Sequence, residues 1–295
     1  MRTFRSRLIQ LHHCEGVNWK VIQSFLTFDP TLQSIYDMSA VTLTKFGLDF
    51  RIASRFYHDL HVTKPWKTNG LGEMRVITRY DEEYPERLMH IYDAPWVIYC
   101  MGNLRLLNTP SLSVVGTRHP SSHAESCMAH VLTPVVQYNI TVVSGLARGV
   151  DTLAHRLALR HQSGTIAVLG SGFKHIYPKE NIELATVIAK NGLLLTEYPP
   201  HRVAERTQFP ERNRIISGLS KGTFVVEARK KSGSLITADQ AIEQGRDVFC
   251  LPGRLTDLHS EGTNRLIQQG AKLILNSEDI LCEYDEFQEK VASTI

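Results

Sequence analysis

The sequence predicts an α/β protein with a Rossmann-like, doubly wound, mostly parallel sheet, preceded by a small all-α domain. From residue 111 onward, short apolar segments alternate with segments of helical periodicity. Continuous apolar strands separated by helices are typical of a parallel sheet that is covered on both faces. Before residue 66, apolar residues recur at helical spacing without strand-like alternation, which predicts helices there.

Six short segments are expected to be the strands of the sheet. Each has four or five residues, most of them apolar. They are 112–115, 141–144, 165–169, 193–196, 223–226 and 247–251.

Changes in composition divide the chain into four parts. Residues 1–66 are predicted to form the helical module, and residues 67–110 a linker with strands that lead into the core. Residues 111–282 are expected to form the Rossmann-like domain, and residues 283–295 an acidic C-terminal tail. A final amphipathic helix is predicted to begin near residue 277, with Ile280, Leu281, Tyr284 and Phe287 facing inward.

The charge distribution is more informative than the net charge of +3. Residues 276–295 carry six acidic side chains and one lysine, so that segment has a net charge of −5 and the remaining chain +8. A basic surplus of this size attracts polyanions or serves only solubility.

Cysteine usage and hydropathy predict a cytoplasmic protein. The five cysteines are odd in number and form no CxxC pair, which argues against a disulfide framework and against a zinc site. No apolar stretch reaches the length of a membrane span, and no signal peptide is recognisable. We expect no metal and no cofactor.

Glycines and cations follow the predicted strands. In open α/β sheets, ligands bind beyond the carboxyl ends of the strands. Glycines there admit a phosphate close to the backbone, helix N-termini offer free N–H groups, and Arg or Lys supplies charge. Five strand ends share this chemistry, and the cations after them are Arg118, Arg148, Lys174, Arg229, Lys230, Lys231 and Arg254. With Arg212 and Arg214 nearby in sequence and no obvious catalytic group beside them, the pattern indicates an anion-binding crevice.

Motifs for nucleotide enzymes are incomplete. The segment that begins at Gly170 lacks the third glycine of G-x-G-x-x-G, and no P-loop string is present. Asp151 and His155 stand four residues apart and could be an acid–base pair, but Asp151 is more simply explained as a helix N-cap. Glu197 and Glu227 are the candidates for a general base.

Glu227 keeps nucleotide hydrolysis open as an alternative. Phosphoribohydrolases of the lonely-guy type share a related fold and use a glutamate with a glycine-rich loop, whereas the loop here is Ser232-Gly-Ser-Leu-Ile-Thr237. The competing interpretation is that Glu227 pairs with arginines and supports the crevice. A nucleotide sensor that uses the same crevice without catalysis is a further alternative.

Three motifs resemble the bacterial DNA-processing protein A (DprA/Smf) family over roughly residues 75–275. They are Val114-Val-Gly-Thr-Arg118, Val143-Ser-Gly-Leu-Ala-Arg-Gly-Val-Asp151 and Arg212-Asn-Arg-Ile-Ile216. The resemblance implies a protein without enzymatic activity that binds and protects single-stranded DNA during natural transformation. It also implies that the protein loads the RecA recombinase onto that DNA and acts as a homodimer.

The resemblance also implies site residues. Gly116, Thr117 and Arg118 match the turn that lines the family's DNA pocket, and Lys179 stands where a second pocket cation is expected. Together with the strand-end cations, the predicted DNA-binding residues are Gly116, Thr117, Arg118, Arg148, Lys174, Lys179, Asn181, Arg212, Asn213, Arg214, Lys230 and Lys231.

Apolar residues are the candidates for two further roles, which are stacking on DNA bases and contact between the two subunits of a dimer. Phe173 and Phe209 lie near the predicted crevice and either stack on bases or fill the core. The family dimerises through the last helix and strand of the Rossmann-like unit, which implies Leu266, Ile267 and Leu273 at the interface.

Two regions depart from the family pattern. Many relatives carry a winged-helix domain where this chain has only about twenty residues, six of them acidic. The N-terminal module matches only in its position, which suits a sterile-alpha-motif-like or helix-hairpin-helix-like unit.

Overall fold

The computed structural model describes residues 3–61 and 74–284. Residues 67–73 of the predicted linker region, the acidic tail from residue 285 and Phe287 lie outside the described residues. The chain forms two compact units. The N-terminal unit comprises Met1–Tyr84 and Asp93–Tyr99, and the C-terminal unit comprises Pro85–Tyr92 and Cys100–Ile295.

The N-terminal unit is mainly helical, as predicted. Side-chain caps from Thr3, Asn18 and Ser39 begin its first three helices by accepting backbone N–H groups that the first helical turn leaves free. Its elements are α1 (Phe4–His13), α2 (Trp19–Phe28), α3 (Ala40–Leu43), α4 (Phe50–His61) and β1 (Arg75–Thr78), followed by β2 (Val97–Gly102), which ends in the C-terminal unit.

The C-terminal unit alternates strands and helices. Its described elements are α5 (Glu86–Met89), β3 (Ser111–Val115), α6 (Ser122–Gln137), β4 (Thr141–Ser144), α7 (Val150–Arg160), β5 (Thr165–Val168), α8 (Ile182–Asn191), β6 (Leu193–Thr196), α9 (Gln208–Leu219), β7 (Gly222–Val225), α10 (Gly233–Glu243), β8 (Asp247–Cys250), α11 (Glu261–Gln268), β9 (Lys272–Leu273) and α12 (Glu278–Leu281). All six predicted strands are present, with bounds that differ by at most one residue.

The strands of this unit pair in parallel in the order β6-β5-β4-β3-β7-β8-β9. From β3 the chain proceeds outward to β6, and then crosses back to β7 and proceeds outward in the other direction. The order therefore reverses between β3 and β7, and this is the switch point at which α/β sheets bind ligands. The predicted doubly wound, mostly parallel fold is confirmed.

Helices cover both faces of the sheet. Leu112 and Val114 of β3 belong to one apolar cluster with residues of α6 and α7. Ser113, between them, donates a hydrogen bond from Oγ to the carbonyl oxygen of Ile216 in α9, at 2.7 Å. Side chains alternate between the two faces of a strand, so α6 and α7 lie on one face and α9 on the other.

The end of the described chain closes the first face. Ile280, Leu281 and Tyr284 are buried in the cluster that contains α6 and α7, so the prediction that they face inward is correct. Within the described residues, no helix has the length and apolarity that crossing a bilayer requires.

Candidate nucleic-acid interface

A cavity of about 800 Å³ opens at the switch point, beyond the carboxyl ends of β3 and β7. We call it the crevice. Loops after β3, β4 and β7 and the first two turns of α9 form its walls. Its lining includes Gly116, Thr117, Arg118, His119, Ala147, Asp151, Tyr177, Arg206, Phe209, Arg212, Asn213, Arg229, Lys231, Ser232, Gly233, Ser234, Thr237 and His259.

Three cations at the mouth of the crevice have no partner. Arg118, Arg206 and Lys231 are exposed. In the described part of the chain, none of the three side chains makes an ion pair or a hydrogen bond. Their positive charges are therefore available to an anion from solvent. Arg206, between β6 and α9, was not predicted, because it follows no strand end or motif.

Two aromatic rings lie beside these cations. The ring centroids of Tyr177 and Phe209 are 5.5 Å apart, with an angle of 52° between the planes. Both residues, with Arg118 and Arg148, also line a small side pocket of about 40 Å³. Phe209 thus faces the crevice, whereas Phe173 is buried and fills the core. Tyr177 was not among the predicted aromatic residues.

Arg212 forms the floor of the crevice. Its side chain is buried, and Nη1 donates to the carbonyl oxygens of Gly145, at 2.6 Å, and Val168. Burial lowers the pKa of Arg212 to about 10, so the guanidinium remains charged at neutral pH. A Cβ on Gly145 would lie 2.5 Å from Arg212 Nη2, so only glycine fits there.

Asp151 fixes the loop between β4 and α7. Its Oδ2 accepts hydrogen bonds from the backbone N–H groups of Gly145, at 3.0 Å, and Ala147, at 3.2 Å. Burial raises the pKa of the Asp151 carboxyl, and the positive charge of Arg212 opposes this. The predicted N-cap role is wrong, because Gly149 occupies that position with φ of 73°, a conformation that favours glycine.

His155 lies beneath this loop and is fully buried. Thr165 Oγ1 donates to the carbonyl oxygen of Val142, so it accepts the hydrogen bond from His155 Nδ1, at 2.7 Å. Burial, with a contribution from Arg212, lowers the pKa of His155 to about 3, so the ring is neutral at pH 7. The ring has no access to a ligand, and the geometry supports a structural role for Asp151 and His155.

Three other predicted cations are paired with carboxylates. Arg214 is buried and contacts Glu197 at 2.6 Å, Lys230 lies 3.7 Å from Glu261, and Arg148 pairs with Glu180. Of the four cations that the sequence grouped around β7, the structure brings Arg212 and Lys231 to the crevice and not Arg214 or Lys230. Gly116, Thr117 and Asn213 do line it.

The loop after β5 holds the remaining predicted residues. Lys174 and Lys179 are exposed but do not line the crevice. Asn181 is buried, and its Nδ2 donates to the carbonyl oxygen of Leu146 and to Thr152 Oγ1, both at 2.8 Å. These contacts give Asn181 a structural role in the loop, and DNA contact by these three residues stays a prediction.

The carboxylate of Glu227 is hydrogen-bonded to Ser121, the N-cap residue of α6. It accepts hydrogen bonds from the backbone N–H of Ser121, at 3.0 Å, and from Ser121 Oγ, at 2.9 Å. The expectation that Glu227 pairs with arginines is wrong in the described part of the structure. The side chain faces a second, smaller cavity of about 290 Å³ and not the crevice.

The predicted dimer residues differ in exposure. Leu266 is only 4% exposed and packs inside its own unit, whereas Leu273 is 39% exposed on β9, the last strand at one end of the sheet. Ile267 is partly buried. Leu275, two residues after Leu273 in the sequence, was not predicted and is 71% exposed. The interface itself stays a prediction.

Fold and site together define a Rossmann-like protein with a basic, partly aromatic crevice at the switch point of its sheet. The family model "DNA recombination-mediator protein A" matches residues 75–285. The chain belongs to this family, which has a role in DNA processing and recombination.

Individual relatives agree with this assignment. The chain is 39% identical to a DNA processing protein DprA of Bacillus subtilis over 91% of this chain and 89% of that protein. It is 44% identical to a DprA of Streptococcus pneumoniae over 70% of this chain and 72% of that one.

Solved structures give the same result. The crystal structure of DprA from Streptococcus pneumoniae superposes with a TM-score of 0.79 and 34% identity, covering 96% of this chain and 98% of that one. A DprA structure from Helicobacter pylori, described for its single-stranded DNA binding mode, has a TM-score of 0.65 and 30% identity, covering 75% of this chain and 97% of that one.

Proposed function

We propose that this protein binds single-stranded DNA in the crevice and acts as a recombination mediator. The observation that carries the proposal is the combination of three unpaired cations, Arg118, Arg206 and Lys231, with the exposed Tyr177 ring at one cavity. Cations that track phosphates and aromatic rings that stack on bases are the two components of sequence-tolerant single-strand binding. A related protein, from Helicobacter pylori, is described by its binding of single-stranded DNA.

The arrangement favours binding without catalysis. Asp151 and Glu227 both accept backbone N–H hydrogen bonds, and His155 is sealed from the crevice. A general acid or base must reach the proton that it transfers. Asp151 borders the crevice and Glu227 the smaller cavity, but the carboxylate of each is already engaged by backbone N–H groups. We therefore propose a non-enzymatic protein, active in the cytoplasm where incoming strands meet the recombinase.

Binding of fluorescently labelled oligonucleotides tests the ligand class. We expect the affinity for single strands to increase with length and to decrease steeply with salt, because each neutralised phosphate releases counterions. A duplex of equal length and a free mononucleotide serve as controls. Saturation by the mononucleotide alone would favour a sensor or a hydrolase instead.

We further propose that a homodimer loads RecA onto the bound strand. Leu273, on the last strand of the sheet, and Leu275, two residues after it, are exposed and offer an apolar contact for a second copy. A two-fold pair would present two crevices to one strand. Leu273→Glu is expected to convert a dimer to monomers in sedimentation, with Leu258→Glu, exposed elsewhere, as the control. Stimulation of RecA assembly on a single strand coated with single-strand binding protein is the functional test.

A further inference from the structure

The N-terminus of α10 opens into the crevice. Ser232, Gly233 and Ser234 of this first turn all line the cavity, together with Lys231. A Cβ on Gly233 would meet no atom within 4 Å, so space is open in front of the turn. In this turn Ser234 N–H donates to Ser232 Oγ, at 3.4 Å, and Leu235 N–H to the carbonyl oxygen of Ser232, at 3.1 Å. The Gly233 N–H makes no hydrogen bond within the described residues, and a free N–H at a helix N-terminus favours an anion.

A buried hydroxyl one turn further along the helix is also without a partner. Thr237 is 1% exposed and lines the crevice. A buried helical threonine ordinarily bonds to a preceding carbonyl, but here the hydroxyl makes no hydrogen bond to any residue in the described ranges. Because Thr237 lines the crevice, its hydroxyl is available to an oxygen-bearing ligand there.

We propose that Lys231, the first turn of α10 and Thr237 form a subsite for the terminal phosphate of a DNA strand. The inference rests on the proposed function, and it gives the end of the bound strand a site of its own beside Lys231. A terminal phosphate monoester carries close to two negative charges and three acceptor oxygens. The lysine, the Gly233 N–H and the Thr237 hydroxyl supply matching donors.

Burial favours a strand end over an internal phosphate. Ser234 is 7% exposed and Thr237 only 1%, so a phosphate that reaches both must enter a recess. An internal phosphodiester has an ester arm on each side, and the strand would have to enter and leave through that recess. A terminal phosphate has one arm and enters from the crevice alone.

The test compares one oligonucleotide in three forms: with a 5′-phosphate, with a 3′-phosphate, or with hydroxyls at both ends. Anisotropy is measured on the full chain. We expect one of the phosphorylated strands to bind about tenfold more tightly than the hydroxyl-ended strand, as for one additional charge-assisted hydrogen bond. The two phosphorylated arms identify which end enters the subsite.

Thr237→Val removes the hydroxyl and keeps the shape of the side chain. We expect this variant to remain folded and to lose most of the preference for the phosphorylated strand. Thr223→Val is the matched control, because Thr223 in β7 is also buried with an unpartnered hydroxyl in the described structure but does not line the crevice. It is expected to keep the wild-type preference.

Three outcomes would overturn the subsite. Equal affinities of the wild type for all three strands would do so while leaving single-strand binding intact. A loss in Thr237→Val that is equal for all three strands would place an internal phosphodiester at Thr237. Absence of binding by any strand would overturn both the subsite and the proposed function.

Discussion

The mouth and the floor of the crevice are both rich in charge, but the charges have different surroundings. At the mouth, Arg118, Arg206 and Lys231 are exposed, and no described residue pairs with them. At the floor, Arg212 and Asp151 are buried and bonded to the backbone. An exposed cation gains by meeting a phosphate, whereas a buried one is already committed to the fold. The mouth should therefore control affinity, and the floor should control stability.

The largest effect on stability is expected from Arg212→Met. The substitution leaves the Asp151 carboxylate buried without its cation, and breaking a buried pair in this way costs about 3–5 kcal/mol. Urea unfolding measures the loss. Arg118→Met, at the mouth, is the control and should change the free energy of unfolding by less than about 0.5 kcal/mol. Equal losses in the two variants would contradict the distinction between mouth and floor.

The mouth is tested by Arg118→Ala combined with Arg206→Ala. Two charge-assisted contacts to phosphate are lost, so the affinity for a single strand should fall about a hundredfold while unfolding is unchanged. Lys190→Ala is the matched control, because Lys190, at the end of α8, is exposed and does not line the crevice. Lys179→Ala tests the predicted contact outside the crevice. If Lys179→Ala weakened binding as much as the double variant, the prediction that Lys179 contacts DNA would be supported and the binding track would extend beyond the crevice.

His155 makes the floor sensitive to pH. Its pKa in the folded protein is about 3, against 6.5 for an exposed histidine, so between these values the unfolded chain binds a proton that the folded chain does not. The contribution of neutral His155 to the free energy of unfolding is therefore present above pH 6.5, and it decreases as the pH falls from 6.5 toward 3. From pH 7 to pH 5 the wild type should lose about 2 kcal/mol more than His155→Asn, whose amide preserves the bond to Thr165. Parallel pH profiles in urea unfolding would exclude this role.

The smallest effect is expected from Lys231→Ala. Removal of one phosphate contact should reduce the slope of log affinity against log salt by about 0.7. Titration at several salt concentrations measures the slope. Lys230→Ala is the control, because Lys230 already pairs with Glu261 and should leave the slope closer to that of the wild type. An unchanged slope in both variants would remove Lys231 from the binding track.

Much of this arrangement could be predicted from the sequence. Apolar strands separated by helices gave the sheet, and the turn after the first strand gave Arg118. Arg214 was grouped with Arg212 because the two are close in sequence. Residues two positions apart on an α-helix differ by about 200° around the helix axis. The side chains of Arg212 and Arg214 therefore point in nearly opposite directions, and Arg214 pairs with Glu197.

Other site residues left no local signal. Arg206 lies in the loop between β6 and α9, and only the tertiary fold brings it to the same cavity as Arg118 and Lys231. Nothing in the sequence distinguishes Thr237 from other helical residues. Only the three-dimensional structure shows that it lines the crevice and that its hydroxyl has no hydrogen-bond partner among the described residues. Hydrogen-bond partners distant in the chain also determine which carboxylates are available, as Glu227 shows with Ser121.

The most direct test of the crevice is to map where a strand lies. Ultraviolet cross-linking of an oligothymidine, followed by mass spectrometry of the digested protein, identifies the residues in contact with bases. We predict adducts on peptides that contain Tyr177 or Phe209. Adducts confined to aromatic residues of the N-terminal unit, such as the exposed Tyr80, would contradict binding in the crevice.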